Sequence, residues 1–241
     1  MAIEPFRELL DKLEFRRSAI DVGANRGDYS LVLAKYFDHV TAFEPDPGTF
    51  LRLSEKVRAS GFTRITTVNA AVTDHVGDLT FYRDLRPQWD GVAGSVNILD
   101  GLDGQTEKIT VPAVSLDDYC AQHRLKPDFI KMDVEGHEPA AIAGALQTIS
   151  RHRPVLMFEF WESWFDRGYK NIFTLLSEWY ELTVFETGAS VQDRYMATDG
   201  KLSQEPTSVD ILCLPRQKTP LNFLAGSLRR LTRRLPSVAA R

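Results

Sequence analysis

The sequence predicts an α/β fold, a doubly wound sheet with helices on both faces. Three observations support it. Short apolar runs alternate with segments whose apolar residues recur at helical spacing. Several of the runs are apolar on both faces, as strands covered from each side must be. A glycine-bearing turn joins the first run directly to the first helical segment, an arrangement typical of open α/β sheets.

Taken in order, residues 1–17 read as a helical extension, and the main domain runs over 18–215. The strand candidates are 18–22, 39–44, 64–70, 128–133, 154–160, 182–186 and 208–214. The helical segments are "GDYSLVLAKYF", "DPGTFLRLSEKVRAS", "EPAAIAGALQTIS" and "YKNIFTLLSEWY". Asp46 before Pro47 reads as an N-cap and first-turn pair. Residues 84–107 carry four glycines and no clear period, so we expect a mobile loop near the acceptor. With Trp89 and Ser95, that loop would close over a substrate.

Charge and cysteine usage narrow the function classes. The net charge of −4 gives no general basic footprint, which argues against nucleic acid as a partner. Residues 219–241 hold five arginines and no acid, leaving −9 on residues 1–218. Residues 219–236 read as a basic amphipathic helix, suited to an anionic membrane surface, to packing on the domain or to dimerisation. Cys120 and Cys213 fit no metal-knuckle spacing and read as reduced thiols. The N-terminus lacks the apolar run of a signal peptide, so we expect a cytoplasmic protein, peripheral to the membrane's inner face if the tail engages it.

The turn Gly23-Ala24-Asn25-Arg26-Gly27-Asp28 lets backbone approach a ligand. It lacks the third glycine of a dinucleotide fingerprint, and Asp28 would repel a pyrophosphate. Glu44 ends the second strand, where a carboxylate can accept both ribose hydroxyls. "NAA" at 69–71 is small and polar enough to border an adenine. Together these describe S-adenosylmethionine better than NAD. An NAD-linked sugar oxidoreductase would need the missing glycine, and a non-catalytic cofactor scaffold would not need the acids that follow.

Those acids lie in "FIKMDVEGHEP", where an apolar run ends on Asp133, Glu135, His137 and Glu138. "IDVGANRGDYS", "AFEPDP", "VNAAVTD", "VSLDDY" and "FIKMDVEGHE", in that order, resemble the FkbM-type S-adenosylmethionine-dependent methyltransferases over residues 18–160. The resemblance implies a Rossmann-like class I methyltransferase sheet and O-methylation of a carbohydrate, glycolipid or polyol natural product. The acceptor would be a glycan, nucleotide sugar or lipid-linked saccharide. It also implies cofactor contacts from Asp21, Gly23, Ala24, Asn25, Gly27, Glu44, Asn69, Ala71 and Asp133. Asp133 and Glu135 would sit at the transfer site, His137 is a further candidate base, and Glu159 would enter the same cleft from the next strand. Asp133 and Glu159 could share a divalent cation, although two carboxylates alone do not define a metal site. Glu138 reads as a helix-start acid. Trp161 and Trp164 would form a rim on which a sugar ring stacks.

Overall fold

The computed structural model describes residues 3–86, 94–96, 105–200 and 208–216. The chain opens with α1 (Ile3–Asp11), β1 (Ser18–Val22), α2 (Asp28–Tyr36), β2 (His39–Phe43), α3 (Pro47–Ser60) and β3 (Ile65–Val68). Short β4 (Ala71–Val72), β5 (Gly77–Asp84), β6 (Gly94–Ser95) and β7 (Thr106–Val114) follow, then α4 (Leu116–His123) and β8 (Phe129–Met132). The remainder comprises α5 (Glu138–Ala143), α6 (Leu146–His152), β9 (Val155–Trp161), α7 (Lys170–Ser177), β10 (Tyr180–Val184) and β11 (Ser208–Pro215).

The main sheet runs in the order β10-β11-β9-β8-β1-β2-β3. Strand β1 pairs in parallel with both β2 and β8, so the strand order reverses there. At such a switch point the loops leave toward opposite faces and open a crevice at the carboxyl ends. Strand β11 inserts antiparallel between β9 and β10. One apolar layer joins Phe6, Leu33, Phe37 and Phe129 beneath α1 and α2; the other gathers Ile142, Ile149, Phe173 and Leu176 from α5, α6 and α7.

The expected helix over 138–150 is two helices, broken at Gly144. A Cβ at Gly144 would lie 1.9 Å from the Thr73 carbonyl oxygen, so the chain there is pressed against the β4 exit. Within 84–107, Asp84, Gly94–Ser95 and the residues from Thr106 on are strand residues. They belong to a second sheet, ordered β4-β7-β5-β6, in which β5 and β7 pair antiparallel from Gly77↔Ala113 to Asp84↔Thr106. Arg83 on β5 ties this sheet to the main one, its Nε 2.6 Å from the Asp46 carboxylate. Asp46 caps α3 as expected, accepting from Thr49 N at 2.7 Å.

Trp89 and the 219–236 segment lie outside the described residues. Among the described residues, no helix is long and apolar enough to cross a membrane.

Candidate active site

A cleft of about 340 Å³ opens at the switch point, over the carboxyl ends of β1, β2 and β8. The β1–α2 turn lines it with Gly23, Ala24 and Asn25, and the end of β2 adds Glu44. Ala71 and Phe81 come from the second sheet, and Asp133, Glu135 and His137 from the loop after β8. Asp21, Gly27, Asn69 and Glu159 do not line the cleft, and each has a different place beside it.

The turn is tight because two strands' loops share its space. Gly23 has φ 74°, and its N–H and that of Ala24 donate to the Phe43 carbonyl at 3.0 and 2.8 Å. A Cβ at Gly23 would lie 1.9 Å from the Asp133 carbonyl oxygen, so only glycine lets the β1 and β8 tips approach this closely. Gly27 also has positive φ, but its missing Cβ faces Leu53 of α3 at 2.6 Å. It seats one helix against another.

Glu44 is 6% exposed and holds two loops at once. Asn25 N donates to its Oε2 and Asp46 N to its Oε1, each at 2.9 Å. Burial pushes its carboxyl up to about 7, partly offset by these two donors. Asn69 supports the same corner from behind, its Nδ2 donating to the Glu44 and Pro45 carbonyls at 2.8 and 3.0 Å. Its amide is therefore a strut for the Glu44 loop. Asp21 is fully buried; one oxygen accepts from Ser30 Oγ at 2.6 Å and the other has no partner among the described residues. Burial raises its pKa.

The loop after β8 gathers the acids. Lys131 Nζ lies 3.0 Å from Asp133 Oδ2. Glu135 has φ 54°, a left-handed conformation uncommon for a residue with a Cβ. Its carbonyl is held by Ser95 Oγ of the second sheet at 2.8 Å. Burial first, then Glu159 and Asp133, push the Glu135 carboxyl up to about 8. Glu159 sits on β9 and accepts from Ser208 Oγ at 2.6 Å; burial and Asp133 raise its pKa. Oxygens of Asp133, Glu135 and Glu159 lie within 4.8 Å of one another. Three carboxylates so placed are enough to hold a divalent cation completed by water, but Lys131 already supplies a positive charge to Asp133.

His137 Nε2 is 3.0 Å from Thr73 Oγ1, and burial lowers its pKa to about 4, so the ring is neutral near pH 7. Glu138 does more than open α5. Fully buried, it accepts from Val134 N at 2.8 Å, from Gly136 N at 3.0 Å and from the Tyr169 hydroxyl. It thereby fastens the loop that presents Glu135. Trp164 packs over Gly136, where a Cβ would lie 2.7 Å from the indole, and Trp161 stands 5.6 Å away centroid to centroid.

Sequence reasoning missed Lys131, Tyr29 and Phe81 as cleft residues. A lysine inside the apolar run "FIKM" was the one signal available. Nothing local marked Phe81, because its strand finds its partner β7 far along the chain.

The family model described as the Methyltransferase FkbM domain matches residues 21–186. The hexuronic acid methyltransferase AglP of Haloferax volcanii is 31% identical over 150 residues, covering 60% of this chain and 57% of that protein. The crystal structure of an FkbM methyltransferase from Methylobacillus flagellatus KT superposes with a TM-score of 0.54 at 20% identity. It covers 84% of this chain and 45% of that one, a likeness of fold. The chain therefore spans about half the length of these relatives. With its family match across strands β1 to β10, the chain belongs to the FkbM methyltransferase family.

Proposed function

We propose that this chain is an S-adenosylmethionine-dependent O-methyltransferase acting on a carbohydrate hydroxyl. The observation that carries the reading is the cleft itself, which sets a ribose-type carboxylate at one end and an acid cluster at the other. The bare Gly23 backbone lies between them. The residues present fit the donor. Glu44 can accept ribose hydroxyls with lone pairs beyond those used by Asn25 and Asp46. Ala24 and Ala71 leave room for a flat base, and Asp133 offers a carboxylate to an ammonium group. The hexuronic acid methyltransferase of Haloferax volcanii favours a sugar as acceptor.

When bound, the donor supplies a methyl group on a sulfonium sulfur, which leaves as a neutral thioether. The chain's part is to align the acceptor oxygen and take its proton. Held geometry of this kind contributes most of the rate in favourable cases, with effective molarities of ~10⁵–10⁸ M. We assign the base to Glu135. It lines the cleft in a strained backbone conformation, and such outliers gather at working sites. Its high pKa makes the ionised carboxylate a stronger base than the weakly basic His137 ring. Trp161 and Trp164 would form the sugar-stacking rim beside it.

The test is transfer of a labelled methyl group from S-adenosylmethionine to uronic-acid-containing and neutral glycans, followed across pH. A base must be deprotonated to act, so a raised pKa delays activity to higher pH. With Glu135 as base, kcat/KM rises through a half-maximum near pH 8 and levels off only above about pH 9. A rate already flat from pH 5 would transfer the role to His137, and no labelled glycan at any pH would reject the acceptor class.

A further inference from the structure

Lys131 is the third residue of β8 and is 2% exposed. Its register partners are Asp21 on β1 and Met157 on β9, so it stands within the parallel sheet and forms part of the cleft floor. Its ammonium is 3.0 Å from Asp133 Oδ2 and 4.6 Å from the centre of the Tyr29 ring. Burial alone pushes such an ammonium toward neutrality, yet Asp133 and Asp21 hold its pKa above the ordinary lysine value. Asp210 on β11 adds a third carboxylate to the same surroundings.

Burying an ammonium in this way is a poor route to stability, because its desolvation consumes most of the attraction to its partners. The network is better explained by what it delivers to its one accessible member. The Asp133 side chain is 40% exposed and lines the cleft, whereas Asp21 is fully buried. Lys131 engages Oδ2; Oδ1 has no donor among the described residues and is available to a ligand. The lysine is thus a fixed donor from below that sets how Asp133 is presented above.

We propose that Lys131 is a positioning residue that fixes Asp133 as the receptor for the α-ammonium group of the donor's methionine end. This rests on the cofactor reading given above. Lys131 occupies only Oδ2 of Asp133, so the second oxygen remains an acceptor for the incoming ammonium. Lys131 acts through Asp133 and touches neither the methyl group nor the acceptor.

The test uses two ligands that share an adenosine end, S-adenosylhomocysteine and 5′-methylthioadenosine, which lacks the amino-acid end. Calorimetry of the wild-type chain should register both. Lys131→Met should weaken S-adenosylhomocysteine roughly tenfold or more, the scale of a charge-assisted hydrogen bond, and leave 5′-methylthioadenosine within about twofold. Asp133→Asn should show the same split, and Lys131→Met/Asp133→Asn should be no weaker than the weaker single variant, since both act on one contact. Lys131→Met leaves Asp21 without its cation, so Lys131→Met/Asp21→Asn, which removes both charges, is measured alongside and should repeat the split. Equal loss for both ligands in that balanced variant, undiminished S-adenosylhomocysteine binding, or additive losses with Asp133→Asn would each overturn the positioning role. A wild-type chain that bound neither ligand would instead reject the cofactor reading itself.

Discussion

Glu44→Ala is expected to weaken S-adenosylhomocysteine binding by about a hundredfold, from loss of hydrogen bonds to a charged acceptor at ~1.5–3 kcal/mol each. The variant also strips two backbone donors, Asn25 N and Asp46 N, of their acceptor. An unsatisfied buried donor costs about 1–3 kcal/mol, and Asp46 N is buried, so a lower melting temperature should accompany the lost affinity. Glu44→Gln separates the two effects. It keeps the shape and one acceptor oxygen, so it should recover much of the stability and little of the affinity. The wild-type pH dependence follows from the same group. A carboxyl raised to about 7 is protonated below that value and loses acceptor capacity, so affinity should increase from pH 6 to pH 8. Calorimetry that found Glu44→Ala equal to wild type would remove the ribose assignment.

Gly23→Ala should be the most damaging single-methyl change in the cleft. A residue with a Cβ at φ 74° costs roughly 1–2 kcal/mol. The added carbon would also lie 1.9 Å from the Asp133 carbonyl, forcing the β1 and β8 tips apart at a further ~1–3 kcal/mol. A total of about 3 kcal/mol corresponds to a melting temperature lower by about 10 °C in a chain of this size. Gly61→Ala is the control. Gly61 ends α3 at φ 75° with nothing within 4 Å of its missing Cβ, so it carries the conformational cost alone. Thermal melts in which the two variants lost equal stability would show that the close approach at Asp133 is unimportant.

The strands around the switch point were legible because each is a short apolar run bounded by turn residues, and parallel strands buried on both faces must look that way. The acid cluster was legible because titratable groups seldom crowd the end of a buried strand. The second sheet was not. Strand β5 is half-buried and mixed in polarity, β6 is two residues long, and their pairing with β7 spans connections that no local pattern specifies. The packing roles of Asn69 and Gly27 were not legible either: one braces the Glu44 loop and the other seats α2 on α3. Lys131 was visible as an oddity, but its meaning depends on Asp133 two residues on and on Asp21 and Asp210 from two distant stretches of the chain.

The decisive property of the cleft is which adenosine-bearing molecule it accepts. Calorimetric titration of the chain with S-adenosylhomocysteine and, separately, with NAD is the most direct trial. We predict saturable heat for the thioether at one site per chain and none for the dinucleotide. Binding of NAD with no response to S-adenosylhomocysteine would contradict it.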